Sequence, residues 1–181
     1  MCTLHSYTLL HSPAARWRPF ILLFLTCFIG VSIRPLSAQT TSEPPISHAA
    51  AVAVDSVRTL YRRGNDSRAL AVADSAMHHG LGSTALQAWR LAALARHPVP
   101  GITPVRTARR MASMYPQSPW AWMGLAMTAA ALPDSARVAR TAARKSLALA
   151  PHDSVVRAMA AAALQQAGYV SEAREVTKGK M

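Results

Sequence analysis

Hydrophobic and polar positions divide the chain into two unlike stretches. Residues 20–33 read FILLFLTCFIGVSI, an apolar run without a charge. From about residue 50 onward the pattern changes to helical period, in which apolar positions recur every three or four residues and mark one buried face. Between Ser135 and Leu149 that face is Ala136, Ala139, Ala143 and Leu147. Asp134-Ser135 stands ahead of this stretch and Asp153-Ser154 ahead of the next, pairs whose side chains can accept the free N–H groups that open a helix. Alanine is abundant and aromatics make up only 6%. Small residues let helices approach closely, which suits stacked helical pairs better than a sheet sandwich, so an all-α fold is expected.

The apolar run has the layout of an export signal. Arg16 and Arg18 precede it, and Pro35 and then Leu36-Ser37-Ala38 follow. Fourteen helical residues reach about 21 Å, short of the roughly 30 Å hydrocarbon core, so no membrane span is expected to be retained. Cleavage after Ala38 is expected, leaving residues 1–38 as a signal peptide. Residues 39–49 form a polar, proline-containing leader, and residues 50–181 form the helical domain. The expected location is the periplasm or the exterior. Cys2 and Cys27 are the only cysteines, and both fall in the segment to be removed. The mature chain therefore lacks a disulfide and a thiolate ligand, and must rely on packing.

Within the helical domain the chain is self-similar. VRTLYRRGNDSRALAVADSA from Val57 and AALQQAGYVSEAREV from Ala162 each read as a helix closed by glycine, a few polar residues, and a second helix opening on alanine. Gly64 precedes Ala69 by five residues, as Gly168 precedes Ala173. The two glycines are 104 residues apart, three units of 34 plus two. Pro116 and Pro151 are 35 apart, each just after a predicted helix that proline cannot continue.

A unit of 34 residues built as helix–turn–helix is the period of the tetratricopeptide (TPR) family. Residues 120–154 resemble one full repeat through Trp122, Leu125 and Ala126 in the first helix and Ala139, Ala143 and Pro151 in and after the second. Residues 154–176 resemble a following, incomplete repeat through Ala161, Leu164, Gly168 and Ala173. Residues 50–83 match through Val57, Leu60, Gly64, Ala69, Ala73 and Ala76. Residues 85–118 fit least: Trp89, Leu91, Ala92 and Ala95 are in place, but HPVPGITP fills the turn and Pro104 stands where a small residue is expected. The resemblance implies a short α-solenoid of about three and a half units.

It also implies a concave groove lined by the first helix of each unit. By register the lining would be Arg58, Tyr61 and Arg62, then Trp89, Arg96 and His97, then Trp120, Met123 and Met127, then Gln165 and Gln166. Aromatic, Met and Arg side chains are enriched in binding hot spots. The sequence leaves open whether Trp89 and Trp120 line such a groove or fill space between helices. The family's lysine–asparagine clamp for terminal carboxylates is not evident at these positions.

Charge and candidate chemistry narrow the classes of function. The chain carries 20 Lys and Arg against 8 Asp and Glu; without Arg16, Arg18 and Arg34 the mature part keeps 17 against the same 8. A basic surface favours acidic partners through long-range attraction. Arg137, Arg140 and Arg144 form a ridge at helical spacing, and Arg106, Arg109 and Arg110 form another, both reading as solvated faces of second helices. His48, His78, His79, His97 and His152 fall at turns or helix ends without the two-histidine helical spacing of zinc hydrolases. Gly80-Leu81-Gly82-Ser83 follows no strand and reads as a turn between units rather than a phosphate loop. Glu172 and Glu175 share a helix face and form no acid/base pair.

No catalytic group, cofactor or metal is therefore expected. The expected function is a non-catalytic protein–protein interaction module of the cell envelope, binding a protein or acidic peptide in the groove, with nucleic acid disfavoured as a partner. The alternative is a structural subunit of a larger envelope assembly, self-associating or stacking through its truncated C-terminal unit.

Overall fold

The structure, a computed structural model, describes residues 45–179. The expected signal segment and residues 39–44 of the leader lie outside them. The described chain is all-helical, with α1 (His48–Arg62), α2 (Asp66–His78), α3 (Thr84–Arg96), α4 (Pro104–Met114), α5 (Pro119–Ala130), α6 (Ala136–Leu149), α7 (Ser154–Gln166) and α8 (Val170–Thr177). No strand occurs among the described residues, and none of their helices is long and apolar enough to cross a membrane. Helix α1 starts at His48, so the last two residues assigned to the leader are already helical.

The helix ends follow from local chemistry. Gly64, Gly80 and Gly168 take φ of 75°, 75° and 88°, the left-handed region that a side chain disfavours. At each, the glycine N–H bonds to a carbonyl three residues back and the next N–H to one five back, as Gly168 does to Gln165 and Tyr169 to Leu164. That double bond is the Schellman closure of a helix. Ser47, Asn65, Ser83 and Asp153 accept N–H groups at the opposite ends, opening α1, α2, α3 and α7. Pro104 and Pro119 each occupy the first helical position, where the missing N–H would have had no partner anyway. Pro104 is thus the start of α4 and not a residue within it, and the loop 97–103 takes up the difference. Ahead of α6 the expected cap is replaced by a short 3-10 turn, Pro133–Ser135, and neither Asp134 nor Ser135 caps the helix by its side chain.

Packing follows a regular order. Helices α1, α3, α5 and α7 pack each on the next, and α2, α4 and α6 each sit between the helices that precede and follow them in sequence. Among the described residues, successive even-numbered helices do not approach one another backbone to backbone. Helices α3 and α5 are central and buried nearly all round, as their largely apolar sequences require. Leu86, Leu91, Leu94, Met123 and Leu164 are fully enclosed. Each such side chain contributes about 1.5–3 kcal/mol by leaving water.

Two close contacts fix α3 against α5. A Cβ added to Gly124 would lie 3.3 Å from the Cα of Ala88 and 2.8 Å from the Met111 methyl, so the helices meet nearly backbone to backbone there. At their N-terminal ends the Thr84 and Ser118 hydroxyls hydrogen-bond at 2.9 Å across 34 residues of sequence. The other buried hydroxyls are also satisfied. Thr128 donates to the Gly124 carbonyl at 2.8 Å, and Ser146 ties α6 to the start of α5 by donating to the Pro119 carbonyl at 2.7 Å.

Candidate functional site

The C-terminal end of α1 and the last turn of α3 meet at an arginine. Arg96 lays its guanidinium 3.6 Å from the ring centre of Tyr61 and donates to the Tyr61 backbone carbonyl at 2.6 Å. Its Nε lies 3.2 and 3.1 Å from the two carboxylate oxygens of Asp66, in the first turn of α2. Both placements suit the helix dipoles, with a cation at the carboxyl end of α1 and an acid at the amino end of α2. Tyr61 in turn stacks edge to face on Trp89 at 5.3 Å, and Trp89 lies 6.5 Å from Trp120. Burial raises the Tyr61 hydroxyl above its ordinary pKa, with Arg96 opposing and Asp66 adding to the rise. The indole N–H of Trp89 is enclosed and has no hydrogen-bond partner among the described residues.

This cluster forms part of the boundary of a cavity of about 500 Å³. Helix α1 supplies Arg58, Tyr61 and Arg62; α3 supplies Trp89 and Arg96; α5 supplies Met127. The remaining wall is α7, through Ser154, Val155, Ala158, Met159, Ala162 and Gln166. The walls therefore differ in chemistry, cationic along α1 and largely apolar along α7. No carboxylate is among the lining residues. Arg58 pairs with Asp55 on its own helix, in an exposed contact, whereas Arg96 is held by Asp66. Arg62 is exposed and makes no ion pair among the described residues.

Of the residues read from the sequence, Arg58, Tyr61, Arg62, Trp89, Arg96, Met127 and Gln166 come together here. Four others do not. Met123 is completely buried in the core, turned away from any surface. Trp120 is half-buried behind Trp89 and packs on the core. His97, just past the end of α3, and Gln165 are exposed but outside the cavity, whereas Gln166, beside Gln165, lines the wall. One residue along a helix is a rotation of about 100°, enough to exchange a lining position for one facing elsewhere. The apolar α7 residues were not singled out by the sequence, since alanine, valine and methionine at helical spacing read equally as core.

A second cavity, of about 590 Å³, lies between residues 45–47, the turn 80–83 and α4, with Arg110 and Tyr115 on its α4 side. Glycines 80 and 82 of the singled-out cluster line it at the close of α2 and the approach to α3. The basic ridge of α6 is partly tied down. Glu172 of α8 accepts from Arg140 at 2.6 Å and also from Arg144, while Arg140 lies 4.7 Å over the ring of Tyr169. Burial pushes the Glu172 carboxyl up, but hydrogen bonds from Arg144 and Arg140 outweigh it and hold the group below its ordinary range. All five histidines of the described residues are exposed, and no group of three or more metal-ligating side chains occurs among those residues. Comparison with family models, with curated proteins and with solved structures finds no match to this chain.

Proposed function

We propose that the helical domain is a tetratricopeptide-like stack of helix pairs that binds a segment of another protein in the cavity between α1 and α7, without a catalytic step. One observation carries this reading: all four odd-numbered helices, and none of the even ones, line one cavity with aromatic, methionine and arginine side chains. These are the residue types that dominate binding energy where proteins meet. The alternation of lining and backing helices is what a stack of pairs with one concave face requires. The lining includes no histidine, carboxylate or thiol, hence no group suited to proton transfer near neutral pH, which favours recognition over chemistry. We further propose that the apolar run at 20–33 directs export and that the partner is met outside the cytoplasm. N-terminal sequencing of the protein from its host tests export, since an uncleaved chain in the cytosol contradicts it.

Binding in the cavity is tested by placing a photo-crosslinking residue in the living cell at Ala162, on the α7 wall, and in a separate variant at Arg68, exposed on α2. The expected result is a discrete adduct from position 162 and none from position 68. Equal labelling from both, or none from 162, contradicts the proposal.

A further inference from the structure

Charge on the two sides of the cavity is unequally answered, and this specifies what fits inside. Arg96 is fully engaged: its guanidinium is shared among Asp66, the Tyr61 carbonyl and the Tyr61 ring. It has little left to offer an occupant. Arg62 is the opposite case, exposed at the cavity and without an ion pair among the described residues. Arg58 lies one turn away on the same face of α1, and its single partner, Asp55, is 62% exposed and weakly held. Two like charges four residues apart on a helix repel, and an anion between them relieves that repulsion. Across the cavity Val155, Ala158, Met159 and Ala162 present apolar surface, continued by Met127 of α5.

We infer that the occupant is a short linear segment with an acidic side chain beside a large apolar one. The carboxylate meets Arg62, with Arg58 in support, and the apolar side chain seats against Val155, Met159 and Met127. The inference rests on the proposal that this cavity binds a protein segment, and adds which chemistry it selects. In this arrangement Arg62 determines specificity, and Arg96 is a positioning residue that holds Tyr61 and the end of α1.

The test uses terminally blocked short peptides, so that no terminal carboxylate contributes. One alternates aspartate with leucine, a second replaces aspartate by asparagine, and a third replaces leucine by serine. Binding to the protein, to Arg62→Gln and to Arg137→Gln is followed by intrinsic tryptophan fluorescence and calorimetry, with circular dichroism to verify folding. The aspartate–leucine peptide is expected to bind about ten-fold tighter than the asparagine peptide, as a charge-assisted hydrogen bond implies. Arg62→Gln should erase that preference while Arg137→Gln keeps it, and the serine peptide should bind more weakly to all three proteins. If the peptides bind but Arg62→Gln retains the ten-fold preference, the assignment of Arg62 is overturned and binding in the cavity still stands. Binding of the aspartate and asparagine peptides with equal affinity overturns it likewise. Failure of all three peptides to bind removes the inference together with the proposal beneath it.

Discussion

Single residues set where each helix stops, and their energetics can be separated cleanly. A Cβ at Gly168 would meet nothing within 4 Å, so replacement there tests conformation alone. Gly168→Ala is expected to lower stability by about 1–2 kcal/mol, the cost of a side chain in the left-handed region, and Gly168→Asn by less. Equilibrium denaturation measures both. Glu172 offers a second residue-scale test, because its folded pKa is depressed. Its contribution is present above the unfolded value and is lost as pH falls through the lower folded one. Glu172→Gln should therefore cost about 1 kcal/mol at neutral pH, limited by the exposure of Arg140 and Arg144, and the difference should vanish in acid below the ordinary glutamate range. Denaturation curves across that range test the sign. The glycine closures were legible in the sequence because glycine takes a positive φ without the cost that a side chain brings, and five-residue glycine–alanine spacing announces a turn. The start of α6 was not. Asp134-Ser135 has the composition of a cap, but Pro133 leads a 3-10 turn that uses those residues differently.

Between elements, α3 and α5 meet nearly backbone to backbone at Gly124. Gly124→Val should force Ala88 and Met111 apart and lower stability by about 1–3 kcal/mol, read from the thermal or denaturant midpoint. A variant as stable as the parent would mean that α5 can slide on α3 without loss. Gly124 sits in an unbroken apolar stretch, and nothing in its neighbours marks it as a point of contact. Alanine stripes identify a buried face but not the partner helix, since every alanine offers the same short side chain. Pro104 shows the converse. It breaks the expected pattern of a second helix, yet as the first residue of α4 it marks a boundary displaced by the long loop after α3. Register read from the first helices placed residues of all four at the cavity, Met127 and Gln166 included, while a shift of one position or one face turned Met123 and Gln165 elsewhere.

On the scale of the whole molecule, similar arginines divide into holding and exposed groups. Arg96→Gln should cost about 1–3 kcal/mol of stability, through a lost bidentate pair, a lost stacking contact and an uncapped α1. Arg62→Gln should change stability by less than about 0.5 kcal/mol, being an exposed substitution away from such features. Parallel denaturation of the two variants measures the contrast. Sequence alone could not sort them, because the partner that engages Arg96 lies 30 residues away and meets it only when α2 and α3 pack. The cavity has the same long reach, since its opposite walls are α1 and α7, near the two ends of the described chain. That geometry bears on timing during synthesis. A chain that folds from its N-terminal side can pair α1 with α2 and α3 with α4 early, yet the cavity lacks its apolar wall until α7, through Gln166, has packed. Under the proposed reading, chains that stop short of α7 should therefore fail to retain a partner that complete chains hold.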